Sequence, residues 1–425
     1  IFAADQSRLA RNAVEWITFL ELCRINQVLL VLDGRIIQLK DDGDSFSSSV
    51  VALVDQSQGS FSAQSESADM QQRVRVAEDA LFKDLVTAGA GAELGGPGAG
   101  PLVRYLPPVL PYRLGTMSDD APGTVRSDVI TLLHVPRTAV ATTLASVGPP
   151  PAGGTIEVEL VVGCPVGSDS CGLEAGMTAL LFDRSGMHDI FDVRGVTGRL
   201  IDIVPHGGTP AYGGYTARTT SIVQLERVTF ALKSDAATDT YQLVVSTGAV
   251  DVPLVDHLVG LSFEYWGEPQ PPRLTGAPLA GPFGPWTTYG PPPPELGATI
   301  STAGYPAGEN CAFTIDARSG LQAPRLPPLS ADLAGALIRL DKAQLDGSDG
   351  GPWCPDAAAL HRWDADLLRI RSIGVTLRVE SASAALRGPA SVLFSHGGTS
   401  RGGQRWLPDA EMRFRVTPRN LSVGR

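Results

Sequence analysis

Residues 69–89 read DMQQRVRVAEDALFKDLVTAG, and the placement of their apolar side chains decides how the rest of the chain is read. Met70, Val74, Ala77, Leu81 and Leu85 follow one another at steps of four, three, four and four. At about 3.6 residues per turn, these steps stack the five on one face of a helix. Arg73, Arg75, Glu78, Lys83 and Asp84 fall mostly off that face, and Gly89 and Gly91 supply the permissive backbone at which helices stop. The spacing predicts an amphipathic helix that packs on a core.

From Leu102 onward the pattern turns β-rich. Strands are expected at residues 129–135, 155–162 and 240–245, where β-branched and aromatic residues concentrate. Residues 178–183 and 189–193 read as a strand pair across the turn residues 184–186. Residues 222–232, 261–266, 372–379 and 411–416 continue the series, with a short helix expected within 331–345. Residues 267–299 are dense in proline and glycine and include four consecutive prolines at 291–294, the mark of an exposed loop. The fold class that follows is α+β: a helix leads into a large antiparallel β-rich head.

Residues 1–46 read differently. A helical pattern opens at Ser7 and carries Val14, Ile17, Leu20 and Ile25. The apolar run 28–32 then ends at Asp33-Gly34, as a buried strand entering a turn does. This short α/β fragment precedes a serine-rich junction at 47–63. Three regions are therefore expected: 1–46, the helix region 47–92, and the head 93–425.

Lys and Arg number 34 against 45 Asp and Glu, a net charge of −11 over 425 residues. Such a chain lacks the broad basic footprint of a nucleic-acid binder. No run of about 18 apolar residues is present, and the opening Ile1-Phe2-Ala3-Ala4-Asp5 has no basic n-region followed by an apolar core. As written, no export signal or membrane span is expected, which points to the cytoplasm.

Chemistry-bearing motifs are sparse. No nucleophile elbow, Walker loop or HExxH stretch occurs, and Gly95-Gly96-Pro97-Gly98 lacks the Lys-Ser/Thr partner of a phosphate loop. The six histidines (His134, His188, His206, His257, His361 and His396) show no metal-ligand spacing. Asp341, Asp346 and Asp349 offer the oxygens calcium prefers, but their spacing does not match a twelve-residue calcium loop, so a solvated loop and no metal or other cofactor are expected. Trp353, Trp363 and Trp406 read as packing residues. Among five cysteines, Cys164, Cys171, Cys311 and Cys354 lie in the loop-rich β region and suit two disulfides of open connectivity, with Cys23 left over. The competing reading is five buried thiols.

Two resemblances give these patterns a context. The stretch Asp5-Gln6-Ser7-Arg8-Leu9-Ala10-Arg11-Asn12, continued by Glu21-Leu22-Cys23, Leu32-Asp33-Gly34 and residues 41–46, resembles the serine recombinases of the resolvase/invertase class. The resemblance implies that Arg8 and Arg11 would neutralise a developing phosphate charge and that Asp5 would help hold the site. It also implies a nucleophilic serine on an earlier strand and a later DNA-binding module, neither of which this sequence supplies. No catalysis is therefore expected, and DNA is a partner only if this fragment functions.

The second resemblance spans residues 50–425. Ala52-Leu53-Val54-Asp55, Gln58-Gly59-Ser60-Phe61, Asp69-Met70-Gln71-Gln72-Arg73-Val74-Arg75 and Asp84-Leu85-Val86-Thr87-Ala88-Gly89 are similar to the lower helix of PilW-like minor pilins of type IV pili. The segments 171–193, 252–265, 370–379 and 414–421 follow in the order of the same family. The resemblance implies a structural pilus or pseudopilus subunit, anchored in the inner membrane or exposed to the periplasm, without a small-molecule substrate. It further implies that other pilins pack through the helix, with Met70, Val74, Ala77, Leu81 and Leu85 as the partner-facing seam. The family's leader, cleavage glycine and membrane-spanning stretch are replaced here by the recombinase-like fragment, as in a fused or rearranged gene.

Overall fold

The computed structural model describes residues 22–23, 25, 27, 30–32, 35–37, 43–91, 100–112, 124–183, 188–206, 214–235, 240–248, 250–271, 309, 311–331, 336–354, 363–383, 386–387 and 407–422. In chain order the elements are β1 (Leu30–Leu32), β2 (Arg35–Ile37), α1 (Gly43–Thr87), β3 (Val109–Pro111), β4 (Thr124–His134), β5 (Thr142–Thr143) and β6 (Gly154–Glu157). There follow β7 (Thr178–Phe182), β8 (His188–Thr197), β9 (Leu200–Pro205), β10 (Ser221–Gln224), β11 (Glu226–Asp235), β12 (Thr240–Ser246), β13 (Asp251–Asp256) and β14 (Leu258–Gly267). The chain closes with β15 (Phe313–Ile315), β16 (Gln322–Pro324), β17 (Ile338–Arg339), α2 (Lys342–Asp346), β18 (Trp353–Cys354), β19 (Trp363–Asp364), β20 (Ile370–Val379) and β21 (Ala410–Val416). A helix leading into a region of antiparallel sheets is the α+β class expected.

Two compact units divide the chain: residues 1–72 with 380–410, and residues 73–379 with 411–425. In the first, Leu30–Leu32 of the expected apolar run forms a strand. Its partner is the antiparallel β2, in the register Leu30↔Ile37 and Leu32↔Arg35. Elsewhere in this unit the Ala382 amide donates to the Glu66 carboxylate. Arg387 reaches Glu380 at 3.3 Å and donates to the Ser381 carbonyl at 2.7 Å, so the buried cation is both paired and hydrogen-bonded.

Helix α1 begins at Gly43, well before the amphipathic stretch, and runs through the serine-rich residues 47–63. Serine costs a helix only a few tenths of a kcal/mol per residue relative to alanine, and no proline interrupts residues 43–87. The stop is where the glycines placed it. Gly89 adopts φ +79°, its amide donates to the Leu133 carbonyl at 2.9 Å, and its carbonyl accepts from the Leu102 amide at 2.9 Å. A side chain there would meet Pro108, Asn420 and Leu421 at 3.0–3.3 Å, so both the left-handed backbone and the space require glycine.

The second unit carries three principal sheets. Six strands run in the order β5-β10-β7-β8-β9-β6, five in the order β13-β12-β11-β4-β3, and four in the order β17-β14-β20-β21. The expected pair across residues 184–186 is present, with β7 and β8 antiparallel in the register Thr178↔Asp192 to Phe182↔His188. Leu181, Phe191, Ile201 and Ile222 form part of the core of the six-stranded sheet, each fully buried. Alternation explains the rest: β14 buries every second side chain along Leu261, Phe263 and Tyr265.

Three expectations need correction. The strand read at 155–162 ends at Glu157, because Val158 turns away to bridge Leu144 and the Glu159 amide donates to Thr143, leaving Val162 fully exposed. Of the helix read within 331–345, only the stretch in α2 is helical among the described residues, and Ile338–Arg339 instead joins the four-stranded sheet as an edge strand. The single strand read at 222–232 is two, β10 and β11, in different sheets. Most of the proline-rich loop, residues 272–299, lies outside the described residues.

Candidate functional site

The five residues of the expected partner seam are buried within the chain itself: Met70 at 3 %, Val74 at 4 %, and Ala77, Leu81 and Leu85 at 0 % exposure. In the single chain this face packs against the fold. Helix α1 exposes other apolar side chains, Val76 and Phe82.

Both disulfides expected from the cysteines are present. Cys164 pairs with Cys171 and Cys311 with Cys354, while Cys23 is a buried free thiol. Burial pushes the Cys23 thiol up, away from the reactive thiolate form. Around the first bridge, Ser168 Oγ accepts from the Gly172 amide at 2.7 Å and Ser170 Oγ donates to the Leu173 carbonyl at 2.7 Å. This tight loop leaves Leu160, Val162 and Val166 exposed. The second bridge ties the hairpin β15–β16 region to β18.

Histidines serve the sheets. His206 Nδ1 lies 2.8 Å from Asp192 Oδ1, and Arg227 Nη1 lies 2.8 Å from His206 Nε2. Arginine nitrogens only donate, so Nε2 accepts and Nδ1 donates to Asp192. That hydrogen bond, against the opposing effect of burial, holds the Asp192 carboxyl below its usual range. Among the described residues no histidine enters a group with metal-ligand geometry.

A buried ionic staple crosses the five-stranded sheet. Asp251 on β13 meets Arg126 of β4 and, at 3.1 Å, Lys233 of β11. Burial pushes its carboxyl up, but the hydrogen bonds and charges of Arg126 and Lys233 outweigh burial and leave it lowered. A carboxyl held below its unfolded value stabilises the fold above about pH 4, and that stability is lost as pH falls through the folded value. Asp251→Asn is expected to cost about 2 kcal/mol at pH 7. It is also expected to flatten the acid limb of the stability curve, measured by urea unfolding from pH 3 to pH 7.

The densest polar constellation lies in the C-terminal third. Asp349 follows α2 in a loop whose Gly347, Gly350 and Gly351 all take positive φ. Asp364 ends β19, and Asp366 lies in the 3₁₀ turn that follows, Ala365–Arg369. Pairing of Trp353 with Asp364, and the Ala365 amide bonding to the Pro352 carbonyl at 2.9 Å, bring the two segments together. One carboxylate oxygen from each aspartate lies within 4.8 Å of the others. Asp364 is wholly buried. Its Oδ1 accepts from the Asp366 amide at 2.7 Å, and its Oδ2 has no hydrogen-bond partner among the described residues. Asp366 pairs with the fully buried Arg369. Burial, then the charges of Asp366 and Asp349, push the Asp364 carboxyl up to about 8 against the amide bond that opposes them; burial likewise raises Asp366 despite Arg369.

The residues expected to hold calcium-type oxygens thus separate. Asp341 precedes α2, where its amide donates to Gln344 at 2.9 Å. Asp346 accepts from the Ser348 amide at 2.9 Å, and only Asp349 joins the cluster. Asp364 and Asp366 went unread because no spacing in the sequence links them to Asp349. The recombinase-like Asp5, Arg8 and Arg11 lie outside the described residues, as does Trp406. Compared with protein families, curated proteins and solved structures, the chain matches none.

Proposed function

We propose that this chain is a non-catalytic structural or assembly subunit of the PilW-like minor pilin kind, acting in a type IV pilus or a related filament. The observation that carries the reading is the plan of the chain: a 45-residue helix, α1, feeding an antiparallel β-rich region stapled by two disulfides. A subunit of this kind needs a helix to pack along and a rigid head to display. Disulfides form and persist in oxidising compartments such as the periplasm. No helix among the described residues is long and apolar enough to cross a membrane.

Because the Met70–Leu85 face is buried in the single chain, partner pilins would meet the exposed sides of α1, which carry Val76 and Phe82. The test is association of the purified oxidised chain with the soluble heads of minor pilins, followed by analytical ultracentrifugation. A defined heteromer is expected, with Phe82→Asp weakening it about tenfold or more. The reading fails if no minor pilin associates, and it fails more decisively if the chain forms a covalent adduct with supercoiled plasmid.

A further inference from the structure

We propose that Asp349, Asp364 and Asp366 form a binding site for a divalent cation of the calcium class. Three side chains from two segments converge with ligand oxygens within 4.8 Å of one another. The observation that turns an acidic cluster into a site is Asp364. Its side chain is completely buried, one oxygen is used by the Asp366 amide, and among the described residues Oδ2 meets no N–H or hydroxyl donor, only the neighbouring Asp366 carboxyl. A buried carboxylate oxygen without a donor costs a few kcal/mol unless something electropositive answers it.

Charge and ligand type select the occupant. Three carboxylates face one guanidinium, that of Arg369, which is already engaged by Asp366. Arg369 also donates to the Pro269 carbonyl at 3.0 Å and to that of Pro327, so it is tied down away from Asp364. With all three carboxylates ionised, as cation binding requires, the balance would be two negative charges, which a divalent cation neutralises. All three donors are hard oxygens, with no histidine or thiolate in the cluster, and this excludes the zinc and copper preference. Calcium tolerates irregular, partly loop-borne ligand sets and fills its remaining positions with water or carbonyls, whereas magnesium demands near-octahedral geometry. Asp349 is exposed and closes the site from the solvent side, giving the ion a way in. Nothing in the pilus reading requires this ion, and the site stands or falls independently of it.

Isothermal titration of the EDTA-stripped full chain with calcium chloride tests the assignment. One site is expected with a Kd on the order of 10⁻⁴ M, weaker for magnesium, together with a rise in melting temperature of about 5 °C in excess calcium. Asp349→Asn should weaken calcium about tenfold, and in EDTA, where it only removes a like charge from the cluster, it should not lower the melting temperature. Asp364→Asn should abolish binding; if that variant does not fold, Asp349→Asn decides alone. The proposal is overturned by absence of calcium binding to the native chain, the result expected if Asp364 and Asp366 simply share a proton. Binding that Asp349→Asn leaves intact overturns it equally.

Discussion

Replacing Cys311 and Cys354 together by alanine is expected to lower the stability of the β-rich unit by about 4 kcal/mol, against about 2.5 kcal/mol for Cys164 and Cys171. The ordering comes from the chain, since the Cys311–Cys354 bridge spans 43 residues and the Cys164–Cys171 bridge only 7. Closing a longer loop removes more freedom from the unfolded ensemble. Native contacts point the same way. Cys354 lies on β18, whose pairing with β19 places Asp364, and Cys311 adjoins β15, so the bridge fixes two short hairpins that have little hydrogen bonding of their own. The measurement is urea unfolding of the oxidised chain and both double variants, with reduced native chain as the reference. Equal losses for the two variants, or a larger loss at Cys164 and Cys171, would sink this account.

What could be read from the sequence follows from what is local. The Met70–Leu85 face is legible because burial acts on one side chain per turn and leaves a period behind. Gly89 is legible because a left-handed helix stop admits little else. The beginning of α1 is not legible: at Gly43–Phe61 the composition is serine-rich and describes a junction as well as a helix. The strands β4, β7, β8, β14 and β20 show through their β-branched alternation, whereas residues 158–162 carry the same composition and form no strand, because the Cys164–Cys171 loop and the bridge to Leu144 redirect them. The four bonded cysteines were identifiable but their partners were not, since pairing is a property of the folded path. The same holds more strongly for the acidic cluster. Asp349 and Asp364 meet only because β18 and β19 pair, and the contact leaves no spacing to read.

Arg369→Met is expected to cost about 4 kcal/mol, the range for removing one partner from a buried ion pair. Arg369 is fully buried, pairs with Asp366, and donates to carbonyls at Pro269 and Pro327. It thereby joins the 3₁₀ turn to the ends of two loops and, among the described residues, supplies the cation paired to the three-aspartate cluster. Removing it strands Asp366 beside Asp364 and Asp349 with no countercharge. Most of the expected loss is therefore the penalty of unpaired carboxylates, with less from the bonds themselves. That partition is testable. In EDTA, Asp366→Asn added to Arg369→Met should recover about 2 kcal/mol, because it removes a charge that the arginine no longer balances. Purely additive losses would show that the arginine acts through its carbonyl contacts alone. Excess calcium should narrow the deficit of Arg369→Met more than it stabilises the native chain, since a cation in the cluster supplies the charge that the arginine gave up. A deficit that calcium leaves unchanged would separate the ion pair from any metal and assign Arg369 to the loops only.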